Sequence, residues 1–223
     1  MILHSLIPSI PPLLVAGVIL VFGQYKYDSS RFRLLLGSFV LGLFISALII
    51  LGHYIISQMG LAELKSIRRV AFFSFVVVGF GHETAKFLVL RFYAIPNEFV
   101  NKPSHGIIHS CLIGLAVTAV MVVYFSETMA EFPYFNTWIY LYTPAAMIIS
   151  VPVGFFAGLG KSRQTRFIDS MTGLFASAFF HSIFIFCYIS SELLLGLLAA
   201  IGTFSIAIIL IWKALAYTPE SKN

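Results

Sequence analysis

The chain has 223 residues, of which 59% are hydrophobic and 10% charged, and its mean hydropathy is +0.95. These values exclude a soluble domain and describe a polytopic membrane protein, an all-α bundle of helices in lipid. The formal charge of +5 does not point to a nucleic-acid partner, because the Lys and Arg residues are spread in twos and threes between apolar runs and form no patch.

Seven apolar runs are long enough to cross a bilayer, which takes about 20 residues at roughly 1.5 Å rise each. They lie near residues 5–23, 34–57, 70–93, 103–125, 137–160, 167–190 and 193–212. The first lacks a basic n-region and a small-residue cleavage site, so it is expected to remain as a helix, with its first turns made irregular by Pro8, Pro11 and Pro12. The second carries His53 near its end.

In the third run the sequence Gly81-His82-Glu83-Thr84-Ala85-Lys86 places a carboxylate and an ammonium well inside an apolar span. Such groups are costly in lipid and mark a functional site by default. His82 and Lys86 are four apart and Glu83 and Lys86 three apart, so each pair can meet along one helical face.

The fourth run opens at Pro103, which suits a first helical turn with Lys102 or Asn101 near the cap. His105 then sits at the rim of the span and His109 one turn deeper. Four residues is the spacing at which two imidazoles on one helix share a metal, although the glutamate of the zinc-protease helix signature is missing.

Small residues recur four apart on this run (Gly106, Ser110, Gly114, Thr118) and on the fifth (Ser150, Gly154, Gly158), while Gly173 and Ser177 precede His181 on the sixth. Small faces let helix backbones approach closely in lipid, so runs four, five and six are expected to form the compact core. Pro144 and Pro152 are expected to kink the fifth. Cys111 and Cys187 both lie inside apolar runs and form no disulfide framework or zinc-type pair.

Basic residues orient the bundle. One set of connections carries Lys26, Arg31, Arg33, Arg91, Lys102, Lys161, Arg163, Arg166, Lys213 and Lys222, and the other only Lys65, Arg68 and Arg69. The positive-inside rule then places the N-terminus outside and the C-terminus in the cytoplasm. No internal repeat, low-complexity tract or linker interrupts the chain, which reads as one membrane domain over residues 1–223.

At about 1.5 Å per residue, Glu83 lies roughly 15 Å, His109 roughly 10 Å and His181 roughly 20 Å from the cytoplasmic ends of their spans. Those depths are compatible with one shared cavity. Two readings of the polar set stand side by side. Glu83 and Lys86 form a structural ion pair that ties helices together, or Glu83 takes a proton from water while His side chains or a bound metal steady an oxyanion. A retinal-type or proton-coupled reading is disfavoured, since Lys86 is on the third span and no acidic relay lines the other helices.

The stretch from His82 to Phe125 resembles the PrsW-type intramembrane proteases, of the same broad superfamily as the CAAX prenyl proteases. That family's core opens with Glu-Glu, two residues and Lys, continues with a Pro-x-Asp-Gly turn, and then a Gly-rich helix ending in Glu-Asn and an aromatic. Here the positions read His82-Glu83-Thr84-Ala85-Lys86, Pro103-Ser104-His105-Gly106, and Gly114 through Tyr124-Phe125. The segments 144–158 and 173–186, the second carrying His181, are similar to the family's next two helices, so the resemblance spans about 70–190.

It implies a peptidase acting in or near the bilayer on a membrane-protein substrate. Glu83, Lys86 and His181 are the implied catalytic groups, and His82, His105, His109 and His181 are candidate ligands for a divalent metal such as zinc. The sequence departs from the family at His82 for the first Glu, His105 for the turn Asp, Met121 for the second-motif Glu, Ala146 for the first His and Ile185 after the last His. The alternative is a pseudoprotease that keeps the fold as a membrane scaffold or binding subunit, as in the seven-helix subunit of gamma-secretase.

Overall fold

The computed structural model describes residues 6–131, 135–163 and 165–218; Ser5, at the start of the first expected span, and Lys222, one of the orienting bases, lie outside the described residues. Among the described residues seven helices are long and apolar enough to cross a membrane: α1 (Ile7–Lys26), α2 (Ser29–Gln58), α3 (Ile67–Ala94), α4 (Pro103–Thr128), α5 (Phe135–Lys161), α6 (Arg166–Ser190) and α7 (Leu193–Ala216). There is no strand among the described residues.

Two helices start ahead of their apolar stretches because a side chain caps them in the polar segment, Asp28 for α2 and Ser66 for α3. In α2 the Asp28 carboxylate accepts the Arg31 backbone N–H at 2.9 Å, so the polar turn 29–33 is already helical. Lys102 is the N-cap of α4 with Pro103 just inside it, where the missing proline N–H costs nothing.

α4 is the centre of the bundle, with 78% of its apolar window buried, against 61% for α5 and 56% for α6. It packs on α5 along one side and α2 along the other, and α6 bridges α5 to α3. The small-residue faces make the α4–α5 seam. A Cβ on Gly106 would overlap the carbonyl oxygen of Gly154, and one on Gly154 would stand 2.6 Å from Ile107 Cα. Along the same seam the Ser110 hydroxyl donates to Ser150 O at 2.9 Å.

Gly106→Ala is therefore expected to cost about 1–3 kcal/mol, the usual penalty of overpacking, because the atoms in its way, Gly154 O and Gly158 N, are backbone. Unfolding in SDS-containing micelles would read it. Gly52→Ala is the control, since nothing stands within 4 Å of a Cβ there, and equal losses at the two positions would refute the seam.

α5 stays helical through Pro144 and Pro152. One step after Pro152 the ladder is completed from outside: Val153 N–H donates to Ser177 Oγ at 3.1 Å, and the Ser177 hydroxyl donates to Ile149 O at 2.7 Å. A side chain of α6 is thus inserted into the backbone ladder of α5. Both backbone groups are satisfied without water, as the apolar interior requires.

The two ends of the bundle differ in charge. At the basic end the Arg31 guanidinium lies over the Phe99 ring at 5.0 Å and Lys161 Nζ donates to Asn97 O. At the other end Glu63 accepts from Lys65 and from Arg69, each at 3.1 Å. The hydrogen bond and charge of Lys65, with Arg69 behind them, hold the exposed Glu63 carboxyl below the usual carboxylate range. Two of the three bases at this end are therefore paired.

Candidate active site between α3 and α6

α3 is not a uniform α-helix. It is α-helical over Ile67–Phe72, winds as a π-helix over Phe73–His82, returns to α over Glu83–Val89 and closes with a π turn at Leu90–Ala94. π-windings are rare and concentrate at functional sites; here the change of winding falls at the His82–Glu83 junction. Gly79 allows α3 to close on α6, since a Cβ there would overlap Ser182 Oγ and come within 2.8 Å of Ala178 O.

The approach brings Glu83 against His181. Glu83 Oε1 accepts from Lys86 Nζ at 2.5 Å and from His181 Nδ1 at 2.7 Å. An ionised carboxylate only accepts, so His181 carries its proton on Nδ1, and its Nε2 accepts the Tyr142 hydroxyl at 2.9 Å. The result is a continuous chain from Tyr142 on α5 through His181 on α6 to Glu83 and Lys86 on α3. Glu83 is 0% and Lys86 5% exposed, so the pair sits in low dielectric, where its mutual attraction is strong and its desolvation large. The second carboxylate oxygen, Oε2, has no hydrogen-bond partner among the described residues.

His82, one residue away, faces the other side. Its Nε2 meets His53 Nε2 of α2 at 2.7 Å, one nitrogen donating and the other accepting, while its Nδ1 is buried without a partner among the described residues. The His82 ring stacks on Phe125 at 14° and stands edge-on to His181 with centroids 5.6 Å apart. Aromatic rings close the site on this side: Phe125 packs against Trp138 and Tyr142, and Trp138 stacks on Tyr188 at 4.1 Å.

His105 and His109 lie elsewhere. His109 Nδ1 pairs with Ser38 Oγ of α2 at 2.8 Å. His105 and His109 line a cavity of about 20 Å³ with Tyr27, Arg31 and Phe99, at the basic end. No hydrogen bond or ring contact joins either to the Glu83 group among the described residues.

Of the residues singled out from sequence, Glu83, Lys86 and His181 converge, His82 adjoins them, and His105 and His109 do not join them. Sequence reasoning missed Tyr142, which shows as one more tyrosine in an apolar run. It also gave His53 no part in the site, because nothing local tells which imidazole of another helix faces it. Met121 and Ile185, which stand where the resemblance implies polar site residues, are fully buried in the apolar cluster with Val117, Phe125 and Tyr142; Ala146 is buried as well.

No curated protein and no solved structure matches the chain. The family model of the PrsW family intramembrane metalloproteases matches residues 30–214, beyond the core of about 70–190 on which the resemblance was drawn, and the chain belongs to that family.

Proposed function

We propose that the chain is an intramembrane peptidase that depends on Glu83 and acts on peptide bonds in or near the bilayer. The observation that carries this reading is the Tyr142–His181–Glu83–Lys86 chain, buried in apolar surroundings, with one carboxylate oxygen left without a partner among the described residues. In this reading Oε2 binds the attacking water and takes its proton as general base. The hydroxide adds to the substrate carbonyl, and Glu83 returns the proton to the leaving amine.

Lys86 keeps Glu83 ionised in its resting state and fixes its rotamer. His181 orients the carboxylate through Nδ1–H, with Tyr142 holding the tautomer.

The family name implies a metal. The donor set here does not fit one: among the described residues no three His, Cys, Asp or Glu side chains converge as ligands. His82 is engaged by His53, His181 by Glu83 and Tyr142, and the Lys86 ammonium already stands at the carboxylate oxygen that a cation would neutralise. No step above runs through zinc or another divalent ion.

The test is cleavage of a membrane-peptide library by wild-type protein in liposomes under metal-replete conditions, with zinc measured on the same preparation. Products that vanish in Glu83→Gln are expected. Absence of any cleavage by wild type would sink the peptidase reading, and stoichiometric zinc lost in His181→Ala would overturn the metal-free one.

A second reading, an inactive scaffold, is favoured by the apolar burial of Met121, Ala146 and Ile185. It predicts a membrane-protein partner that survives gentle detergent extraction and crosslinking. Recovery of monomer alone would count against it.

A further inference from the structure

α7 is the least embedded helix of the bundle, with 11% of its apolar window buried. It is held near its C-terminal end by a cluster in which Ala207, Leu210 and Ala214 meet Val151, Phe155 and Leu159 of α5. Beside this cluster lies a cavity of about 370 Å³ lined by Phe155, Phe156, Leu159 and Leu210, with Arg163, Lys213 and Tyr217. The volume is within the range of ligand sites, about 300–1,000 Å³.

The lining is divided by depth. Phenylalanine and leucine make the inner walls, while Arg163, just past α5, and Lys213, in the last turn of α7, stand at the rim with Tyr217. Neither Arg163 nor Lys213 pairs with a carboxylate among the described residues. The nearby Asp169 accepts instead from Thr165 Oγ1 at 2.8 Å and does not line the cavity.

Two exposed cations over an apolar slot, at the end that carries most of the bases, match the two halves of an anionic phospholipid. We propose that this cavity is a phospholipid site. A phosphate headgroup bridges Arg163 and Lys213, and one acyl chain lies between α5 and α7 against Phe155, Phe156 and Leu210. The chain fills the wedge that side chains leave open, so the lipid completes the packing of α7. Basic pockets between membrane helices on the cytoplasmic side recognise anionic headgroups by the same pairing of charge and depth. The site is separate from Glu83 and does not depend on its chemistry.

Native mass spectrometry of the full chain, released from micelles containing equal dioleoyl-phosphatidylglycerol and dioleoyl-phosphatidylcholine, tests the proposal. With each cation worth roughly five-fold near a membrane surface, the wild type should retain the anionic lipid about thirty-fold better. Arg163→Ala/Lys213→Ala should abolish the preference, and Arg163→Lys/Lys213→Arg should keep it. Phosphatidylglycerol should also raise the melting temperature of wild type but not of the alanine pair.

Equal retention of the two lipids by wild type would overturn the proposal, even if the alanine pair failed to fold. So would an undiminished preference in a folded alanine pair. Glycerol phosphate displacing the lipid at equal concentration would overturn it in favour of a free-phosphate site.

Discussion

Glu83→Gln is expected to lower the proposed cleavage by about 10²–10⁴-fold, the span attached to loss of a positioned general base. The amide keeps the shape of the side chain, and its oxygen can still accept from His181 Nδ1, which lies 2.7 Å from Oε1 in the native protein. It cannot take a proton from water. The same change also leaves the Lys86 ammonium without its counter-charge at a position only 5% exposed, so lost activity alone would not separate chemistry from collapse of the site. The double variant Glu83→Gln/Lys86→Met separates them, because it removes both charges together. It is expected to melt near the wild type and remain inactive. Turnover by the double variant at the wild-type rate would show that no carboxylate at position 83 is needed, and the peptidase mechanism would fall with it.

The peptidase and scaffold readings use the same buried chain differently. A peptidase needs the Glu83 oxygens to reach water and a peptide carbonyl, yet Glu83 is fully buried. Catalysis therefore requires α3 and α6 to part. The π-wound segment Phe73–His82 is the element suited to that movement, since a return to α winding rotates the side chains that follow it. A scaffold needs no such opening, and in it the chain from Tyr142 to Lys86 acts only as a polar clasp between three helices.

How far the sequence reports on all this differs from level to level. The seven spans are legible because twenty apolar residues in a row have few other uses, and the largest boundary shift at a helix start, from 34 to 29 in α2, comes where the Asp28 cap carries helix into polar residues. The α4–α5 seam is legible because its small residues repeat at four. The Glu83–Lys86 contact is legible because both partners sit on one helix, three residues apart.

What fails is the choice of partner for each polar side chain on a neighbouring helix. His82 and Lys86 have the spacing to meet, but the π winding ends at His82, and that ring turns to His53 on α2. His109 has the depth to join Glu83 but turns to Ser38. Tyr142 closes the chain from a helix whose sequence gives its hydroxyl no special mark. The insertion of Ser177 into the ladder of α5 belongs to the same class: Pro152 announces a defect, and only the fold says which neighbour repairs it.

Lys86→Met alone lowers the stability of the bundle by about 3–5 kcal/mol, the cost of leaving one member of a buried pair uncompensated. The methionine fits the aliphatic space of the lysine, so packing is preserved and the loss comes from the charge. Glu83 would then keep one donor, His181 Nδ1, in place of two, in a part of the membrane where a lone carboxylate is expensive. The double variant closes a thermodynamic cycle. Well-packed apolar or neutral replacements of a buried pair are often neutral or stabilising, so Glu83→Gln/Lys86→Met should recover most of what Lys86→Met loses, with a coupling energy well above the few tenths of a kcal/mol expected of independent sites. Reversible unfolding in SDS-containing micelles measures all four corners. Additive losses would mean that the two side chains do not feel each other across 2.5 Å, and Lys86 would then have no part in holding Glu83 for either catalysis or clasping.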